Sequence, residues 1–388
     1  MRILQVISTP PPAWATGGCA RFVHEVSKEL ARRGHEVTVA TTDLFTPDNR
    51  YEIQENPEYV DGIRFFRFRT VSNSLAWKYK IYVSPGLIHF LRHHLKESQV
   101  VHLQDLISVH AVATRKLATR NSIPYVLTGH GSIKWLSENK VLNRWFYSQW
   151  GRSILRDAKA VTALNDTEIA EYAKLGVEQR KIHVVPNGAC AKSKQEPRGI
   201  FKSKYGIREE EKIVLYLGRL HRSKGVDLLL EAFADTDWRS DNSKLVFVGP
   251  DEGMRAVLEK VARDKGIRDR VIFTGFISQD EKGAAFSDAE VLVTPSYSGF
   301  PATFLEACAS GTPIVTTTNG DSLSWIQDRV GYVVQYDRTQ LAQAITHILK
   351  DDELRRRFGE NGRRIVKEEF GWEKIVDRLE WVYEKCLE

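Results

Sequence analysis

The chain has 388 residues, 42% of them hydrophobic and 27% charged, and it carries a formal net charge of +6. This length exceeds one ordinary hydrophobic core and predicts two domains, while the composition excludes an intrinsically disordered protein. No run of 18 apolar residues is present, which argues against a membrane-spanning helix, and the four scattered cysteines argue against a disulfide framework or zinc site and favour a reducing cytosol.

The first half of the chain alternates short apolar runs with helical patterns. Met1–Ser8 is apolar but short and lacks a small-residue cleavage pattern, so we interpret it as a first strand and not as a signal peptide. Helical spacing of apolar residues follows in Gly18–Gly34 and again in Ser108–Asn121. Parallel sheets with crossover helices produce this alternation. The predicted strands of this half are Ile3–Ser8, Glu36–Thr42, Ile63–Arg69, Val100–Leu103, Tyr125–Thr128 and Ala160–Leu164.

A polar segment with proline and glycine, Val185–Ala189 followed by Lys192–Gly199, separates this half from a second alternating set. We therefore predict an α/β protein of two doubly wound, Rossmann-like domains, residues 1–190 and 200–369. The tail Trp372–Leu387 has the apolar spacing of an amphipathic helix. The predicted strands of the second half are Ile213–Leu217, Lys244–Val248, Val271–Thr274, Val291–Thr294, Pro313–Thr317 and Gly331–Val334.

Doubly wound domains bind ligands on loops beyond the carboxyl ends of their strands, and two such loops carry glycines or cations. Gly17 and Gly18 precede a helix, where they let the backbone approach an anion; the alternative is a glycine-assisted helix start. In the second half, Arg219 and Lys224 follow Gly218 between a strand and a helix. A guanidinium and an ammonium group placed there hold a diphosphate, and the alternative is a solvated charged loop.

Two further positions suit a site for a nucleotide-activated sugar. His130 stands between glycines at the end of an apolar strand; the alternative is a structural histidine. The segment 294–313 leads from a strand through a turn into a helix that carries Glu306. Free N–H groups at the start of a helix bind an anion, and a carboxylate one turn further accepts hydrogen bonds from sugar hydroxyls. Glu306 has the alternative role of a first-turn acid that the helix dipole stabilises.

In this order, and along nearly the whole chain, these residues resemble glycosyltransferase family 4. The resemblance implies a GT-B fold, in which two Rossmann-like domains face a central cleft and a last helix within 370–388 returns to the first domain. It also implies a hexosyltransferase that moves a sugar from a nucleotide-diphosphate-sugar to an acceptor hydroxyl with retention of configuration. The segments that carry the resemblance are Gly17-Gly18, His130-Gly131, Pro186-Asn-Gly188, Gly218-Arg-Leu220, Lys224-Gly225, Glu306-Ala307, Gly311-x-Pro313, Gly362-Arg363 and Phe370-Gly-Trp372.

Positions that match the family's motifs imply roles for single residues. Arg219 and Lys224 resemble the pair that binds the donor diphosphate, and Glu306 resembles the glutamate that binds the ribose. His130 resembles the histidine beside the reacting sugar, and Gly18 the glycine that faces the diphosphate. The catalytic residues implied are therefore His130, Arg219 and Lys224. The implied donor-binding residues are Gly17, Gly18, Gly218, Arg219, Lys224, Phe276, Ile277, Ser298, Gly299, Phe300, Pro301, Ala302, Thr303 and Glu306.

The segment Gly275–Ile277 matches the place where the family holds the nucleotide base. A different position, Ser298, departs from the family motif. Relatives commonly have two glutamates separated by seven residues, and the first of them falls on Ser298. A nucleoside diphosphate leaves without an acid catalyst, so this departure concerns the contact to the donor sugar and not the diphosphate site. We expect fixed cations to stabilise the leaving phosphate, with no metal and no other cofactor.

Two segments of the first domain combine basic and aromatic residues. Residues 63–96 contain seven Lys or Arg, three His and no acid, and residues 134–159 contain six Lys or Arg against two acids. Such segments suit an anionic surface, so we expect a lipid-linked or anionic glycan acceptor in cell-surface polysaccharide synthesis. We also expect a cytoplasmic protein bound peripherally to the inner face of the cell membrane. The alternative is an ordinary basic surface.

Other functions of the same scaffold remain open at this point. One alternative is another two-domain enzyme on this scaffold, such as a nucleotide-sugar epimerase or a glycosyl-phosphate synthase. An epimerase would convert the donor without an acceptor. A non-catalytic nucleotide-sugar-binding protein is compatible with Ser298, and transfer or donor hydrolysis would exclude it. The basic charge alone suits nucleic acid, but the sequence contains no recognised nucleic-acid motif, so we expect no nucleic-acid partner.

Overall fold

The chain forms two compact units, each with its own sheet. The computed structural model describes residues 1–13, 18–133, 141–190, 197–236, 240, 242–297, 300–318 and 323–388, of which 141 and 142 are described without their side chains. One unit comprises Met1–Asn187 together with Trp372–Glu388, and the other comprises Gly188–Gly371. Each sheet is mainly parallel and has helices packed on it, which confirms the predicted α/β class.

The first unit contains an eight-stranded sheet with the strand order β3-β4-β2-β1-β5-β6-β7-β8. Its neighbouring strands are parallel except for the antiparallel pair β3 and β4. Every residue of β5, β6 and β7 is buried, as in strands that helices cover on both faces. The strands are β1 Arg2–Val6, β2 Glu36–Thr42, β3 Glu58–Val60, β4 Ile63–Phe68, β5 Val100–Leu103, β6 Tyr125–Thr128, β7 Ala160–Ala163 and β8 Ile182–Val184.

Local capping fixes several helix starts in this unit. Ser108 accepts a hydrogen bond from the N–H of Ala111 at 3.0 Å, and Asn165 accepts one from Glu168 at 3.0 Å. A π-helical turn, Tyr147–Gly151, joins α5 to α6. The helices are α1 Gly18–Arg32, α2 Asn73–Tyr79, α3 Pro85–His94, α4 Val109–Arg120, α5 Val141–Phe146, α6 Arg152–Asp157 and α7 Asp166–Lys174.

The second unit contains a six-stranded, fully parallel sheet with the order β11-β10-β9-β12-β13-β14. Its strands are β9 Lys212–Leu217, β10 Ser243–Val248, β11 Val271–Gly275, β12 Val291–Thr294, β13 Ile314–Thr317 and β14 Gly331–Val334. Its helices are α8 Ile200–Lys204, α9 Val226–Ala234, α10 Arg255–Asp264, α11 Gln279–Asp288, α12 Ala302–Ser310, α13 Arg338–Lys350 and α14 Asp352–Glu368.

The tail forms helix α15, Trp372–Leu387, with the bounds that its apolar spacing predicts. Its apolar side joins the core of the first unit, where α15 packs against α1. The buried residues of α15 are Ile375, Val376, Leu379, Val382, Tyr383 and Cys386. Among the described helices, none is both long and apolar enough to cross a membrane.

The strand order reverses once in each sheet, and this reversal indicates where ligands bind. In the first sheet the chain leaves β1 towards β2 on one side and later fills the other side from β5, so the reversal lies between β1 and β5. In the second sheet it lies between β9 and β12. Doubly wound sheets bind ligands in the crevice at this point, beyond the carboxyl ends of the strands.

Candidate active site

The loop after β9 lies on one side of the reversal in the second sheet. The N–H of Gly218 donates to the carbonyl of Val248 at 2.9 Å, and the N–H of Leu220 donates to that of Pro250 at 2.9 Å, so the loop continues alongside the end of β10. Close backbone contact makes this possible, because a Cβ on Gly249 would lie 2.0 Å from the carbonyl oxygen of Gly218. The backbone that presents Arg219 is therefore held from both ends.

Arg219 is half exposed and forms an ion pair with Glu252. Its Nη1 donates to Oε2 of Glu252 at 2.6 Å, and 55% of the Arg219 side chain remains accessible. A guanidinium has five N–H groups, so a pair through Nη1 leaves donors for a second anion. The backbone N–H of Glu252 donates to the carbonyl of Leu220 at 3.1 Å, and this hydrogen bond holds Glu252 beside the loop of Arg219. This glutamate is a residue that sequence reasoning missed.

Lys224 ends a short 3-10 turn, Arg222–Lys224, directly before α9. Its backbone N–H donates to the carbonyl of His221 at 2.9 Å. Gly225 follows with φ +65°, and a Cβ there would lie 3.0 Å from both Pro295 Cβ and the hydroxyl of Tyr336. Positive φ and this close approach both favour glycine, which explains the Lys-Gly pair at the start of α9.

Helix α12 begins after β12, on the other side of the same reversal. Pro301 occupies its N-cap, Ala302 is its first residue and Thr303 its second. The first N–H groups of a helix have no acceptor within the helix, so they point towards any anion placed there. The ring of Phe300 stacks on Trp325 with centroids 5.9 Å apart. Ser298 and Gly299 of the predicted site lie outside the described residues.

Glu306 lies one turn inside α12 and is mostly buried, with 16% of its side chain exposed. Its carboxylate forms an ion pair with Lys282 of α11. A buried carboxylate needs such a partner, because transfer of an unpaired charge from water into protein is costly. Lys282 therefore offsets the cost of burying the Glu306 carboxylate, and the sequence interpretation missed this lysine too.

The loop after β11 presents a strongly exposed aromatic ring. Phe276 is 83% exposed, whereas the next residue, Ile277, is buried in the core of the second unit. Gly275 precedes them with φ +72° and ends the strand. An exposed ring at the carboxyl edge of a parallel sheet is a surface on which a planar base stacks.

In the first unit, Gly18 and His130 follow β1 and β6. Gly18 opens α1 and is exposed, and a Cβ there would have no atom within 4 Å. Gly17 lies outside the described residues. His130 adopts a left-handed backbone with φ +48° between Gly129 and Gly131. The structure thus puts Gly18 and His130 in one unit and Arg219, Lys224 and Glu306 in the other.

A hydrogen bond to Gln104 and the packing of Phe22 define the surroundings of His130. Its Nε2 lies 2.7 Å from Oε1 of Gln104, and the edge of the Phe22 ring packs on the imidazole with centroids 5.2 Å apart. Burial lowers the pKa of His130 to about 3, because the imidazolium would lose its hydration. His130 is therefore neutral at physiological pH.

Asp105 is a further titratable group at this edge that sequence reasoning missed. It follows β5 by two residues, and its Oδ2 accepts a hydrogen bond from the N–H of Ser8 at 3.2 Å. Burial raises the pKa of Asp105 to about 6. The signal was present, because an acid immediately after a buried strand lies at the ligand-binding edge of a parallel sheet.

Two family models match the chain, one in each half. The model described as Glycosyltransferase Family 4 matches residues 16–190, and the model described as Glycosyl transferases group 1 matches residues 197–365. Together they leave only the ends and a short junction unmatched. The chain belongs to glycosyltransferase family 4. It is therefore a transferase enzyme.

Relatives of this glycosyltransferase align over most of its length. The N-acetyl-alpha-D-glucosaminyl L-malate synthase of Bacillus anthracis is 29% identical, with 96% of this chain and 95% of the relative covered. The alpha-monoglucosyldiacylglycerol synthase of Streptococcus pneumoniae is 28% identical, with 86% of this chain and 75% of the relative covered. Both names describe glycosyl transfer, to two chemically different acceptors.

Solved structures identify the fold of the glycosyltransferase. A sucrose-phosphate synthase from Thermosynechococcus elongatus superposes with a TM-score of 0.77 at 24% identity and covers 99% of this chain and 98% of its own. The Anabaena protein HepE, solved in complex with UDP and glucose, superposes with a TM-score of 0.76 at 16% identity and covers 99% of both chains. The fold is GT-B, as the sequence resemblance implies.

Proposed function

We propose that this glycosyltransferase moves a hexosyl group from a nucleotide-diphosphate-sugar to an acceptor hydroxyl with retention of configuration. One observation carries the proposal. The cations Arg219 and Lys224 follow β9, the N-terminus of α12 and Glu306 follow β12, and these two strands flank the strand-order reversal of one sheet. A diphosphate and a ribose are the groups that such donors bind. HepE, with its UDP and glucose, supports the same donor class.

The proposed chemistry assigns the negative charge and the proton explicitly. The bond between the anomeric carbon and the β-phosphate oxygen breaks, and Arg219, Lys224 and N–H groups of α12 stabilise the charge that develops on the diphosphate. The acceptor oxygen bonds to the same face of the anomeric carbon, and its proton passes to a leaving phosphate oxygen. We assign no metal to this step, since fixed cations neutralise the leaving group. For His130 we propose the role that its match to the family motif implies, a hydrogen bond to the reacting sugar.

A screen of nucleotide-sugars by thermal shift tests the donor. UDP-, GDP-, ADP- and dTDP-sugars are compared, and one base and sugar should raise the melting temperature above the rest. A ligand at 100 times its Kd stabilises by about 2.7 kcal/mol, which such a scan detects. The anomeric configuration of the product, read by proton NMR, then tests retention. If no nucleotide or nucleotide-sugar shifts the transition, the donor assignment is wrong.

For the acceptor, we propose a lipid-linked or anionic glycan used in cell-surface polysaccharide synthesis, reached from the cytoplasmic face of the membrane. The supporting feature is an exposed surface on and after α2, here called the α2 surface. It presents apolar and aromatic side chains beside ammonium groups, a combination that binds anionic headgroups. The two named relatives support this acceptor chemistry, since one makes a diacylglycerol glycolipid and the other glycosylates L-malate, an anion. The α2 surface consists of Leu75, Lys78, Tyr79, Lys80 and Ile81.

Parts of the basic segments 63–96 and 134–159 are buried in the structure. Tyr79 is 68% exposed, but Phe66 and Phe90 pack against each other with ring centroids 4.5 Å apart, so part of the segment belongs to the core. In the second segment Trp145 is exposed, whereas Trp135 lies outside the described residues. We therefore propose the α2 surface as the docking element.

Sedimentation with vesicles tests membrane binding. The protein should sediment with vesicles that contain phosphatidylglycerol and stay in solution with neutral phosphatidylcholine vesicles. The triple variant Lys78→Ser, Tyr79→Ser, Lys80→Ser should lose most of this binding, since each basic residue near an anionic surface contributes about 1 kcal/mol. Lys116→Ser with Arg120→Ser on α4 removes the same number of charges elsewhere. Equal loss in both variants would mean an ordinary basic surface.

The family assignment does not favour the alternatives of an epimerase or a non-catalytic binder. An epimerase would change the sugar while it stays attached to the nucleotide. The proposed transferase instead releases one nucleoside diphosphate for each sugar transferred. Chromatography of the donor after incubation separates these outcomes.

A further inference from the structure

A chain of hydrogen bonds connects His130, a predicted site residue, to α15 through the core of the first unit. Nε2 of His130 lies 2.7 Å from Oε1 of Gln104. Nε2 of Gln104 donates to Oε1 of Gln5 at 2.6 Å, and Nε2 of Gln5 donates to the hydroxyl of Tyr383 at 3.2 Å. Gln5, Gln104 and Tyr383 are fully buried. These hydrogen bonds thus link groups of β1, the end of β5 and α15 to the loop after β6.

The hydrogen-bond partners of His102 agree with one direction of hydrogen bonding at Tyr383. Nδ1 of His102 lies 2.6 Å from the Tyr383 hydroxyl, and its Nε2 lies 2.7 Å from Oγ1 of Thr128. Burial lowers the pKa of His102 to about 3, so it is neutral and carries one N–H. Because Nε2 of Gln5 donates to the Tyr383 oxygen, the only proton of that hydroxyl goes to Nδ1 of His102, which leaves the N–H of His102 on Nε2, facing Thr128.

Two amides carry this direction to His130. A glutamine side chain presents an oxygen on one side and an NH₂ group on the other, so fixing one end fixes the other. Gln5 turns its NH₂ to Tyr383 and its oxygen to Gln104. Gln104 turns its NH₂ to Gln5 and its oxygen to His130. The imidazole must therefore carry its proton on Nε2, and Nδ1 is left as the nitrogen that accepts a hydrogen bond.

We propose that Tyr383 is a positioning residue for His130, and that it fixes the tautomer and the ring orientation of this histidine through Gln5 and Gln104. The consequence for sugar transfer rests on the proposed function, whereas the tautomer is a property of the protein alone. With Nδ1 as an acceptor, His130 suits a hydroxyl donor such as a hydroxyl of the donor sugar. Helix α15 thereby acts on His130 through Tyr383 and the two glutamines.

The first test reads the tautomer without donor or acceptor. In protein labelled with ¹⁵N-histidine, two-bond ¹H–¹⁵N NMR distinguishes the protonated ring nitrogen from the bare one, and the spectrum of a His130→Gln variant assigns the signal. The wild type should show His130 protonated on Nε2. Tyr383→Phe should convert it to a mixture of tautomers, since nothing then requires Gln5 to present its NH₂ group. Because this NMR measurement does not require donor turnover, it tests the tautomer even if the protein transfers no sugar.

A matched variant separates positioning from loss of stability. Tyr125 is also a buried tyrosine of the first unit, and its hydroxyl donates to the carbonyl of Ile154, outside the chain of hydrogen bonds. Tyr125→Phe should destabilise the fold but leave the His130 tautomer and donor kcat/KM unchanged. Tyr383→Phe should lower donor kcat/KM by about 2- to 10-fold, as expected for one lost hydrogen bond. If the two variants show the same His130 spectrum and the same kcat/KM, the proposal is wrong.

Gln104→Glu provides a second test if Tyr383→Phe folds poorly. A carboxylate at this position still accepts from Nε2 of His130, and its negative charge favours the imidazolium. The variant should therefore raise the pKa of His130, so that its ring titrates visibly by NMR in a range where the wild-type ring does not. A His130 spectrum that stays unchanged with pH, as in wild type, would show that Gln104 does not control this ring.

Discussion

Nη1 of Arg219 lies 2.6 Å from Oε2 of Glu252, so the cation assigned to the donor diphosphate already has an anionic neighbour. Both side chains are partly exposed, and solvent screens such a pair to roughly 0.2–1 kcal/mol. The carboxylate has two opposite effects on a bound diphosphate. It orients the guanidinium, but it also repels the phosphate charge.

Glu252→Gln is expected to tighten the binding of a nucleoside diphosphate by about threefold at low salt. This factor corresponds to removing a repulsion of about 0.7 kcal/mol between charges roughly 6 Å apart in water. The amide oxygen still accepts from Arg219, so orientation is kept. Isothermal titration with the best nucleoside diphosphate of a UDP, GDP and ADP panel measures the effect, which should shrink in 0.5 M salt because of screening. Weaker binding in the variant would instead show that the charge of Glu252 is needed to hold Arg219.

Arg219→Ala and Lys224→Ala should each lower donor kcat/KM by roughly 30- to 1,000-fold. Each change removes one fixed cation from the leaving diphosphate, and such groups contribute about 2–4 kcal/mol to the transition state. Steady-state kinetics with the donor found in the thermal-shift screen measure this. Arg222→Ala is the matched control, since Arg222 is an exposed cation of the same turn. A loss as large in the control, or none in the two variants, would exclude the assigned roles.

The sequence predicted the fold and selected the loops of the candidate site, because strands and the loops between them follow from local patterns. Apolar runs covered on both faces mark parallel strands, and the reversal of strand order selects the loops that carry Arg219 and Glu306. Partners that come from distant segments were missed, since no pattern links Glu252 to Arg219 or Lys282 to Glu306. The three-residue strands β3 and β8 were missed too, because they are too short for a periodic signal.

The ends of strands were also predicted too long where a side chain takes over from the sheet. The first strand was expected to reach Ser8 but ends at Val6. The N–H of Ser8 donates to the carboxylate of Asp105 instead of continuing the ladder. That contact between the ends of two strands is part of the candidate site, and it depends on tertiary structure that the apolar pattern does not encode.

Asp105 should make the protein less stable as the pH rises from about 4 to about 6. Its pKa is raised from an ordinary value near 3.8 to about 6, so the folded state binds more protons than the unfolded state across this window. Stability then falls with rising pH and levels off above about pH 6, by at most about 3 kcal/mol. In Asp105→Asn this decrease should be absent.

The comparison of Asp105→Asn with wild type isolates this carboxyl group. The histidines His102, His110 and His130 have lowered pKa values. They bind more protons in the unfolded state than in the folded state, so their effect on stability has the opposite sign. Their contribution cancels in the difference between the two proteins. Urea unfolding of both proteins at several pH values measures this difference in unfolding free energy. A difference that is constant from pH 4 to pH 7 would contradict the raised pKa.

Gly249→Ala is expected to disturb the donor loop more than its own backbone strain explains. The residue has φ +136°, and its new Cβ would lie 2.0 Å from the carbonyl oxygen of Gly218. Relief requires the backbone before Arg219 to move, so we expect a loss of about 2–4 kcal/mol in unfolding free energy together with weaker binding of nucleoside diphosphate. Gly253→Ala is the matched control, because Gly253 has φ +94° but no atom within 4 Å of the added Cβ. The control should lose about 1–2 kcal/mol and keep its affinity. Similar stability and affinity in the two variants would show that the contact with Gly218 does not position the diphosphate loop.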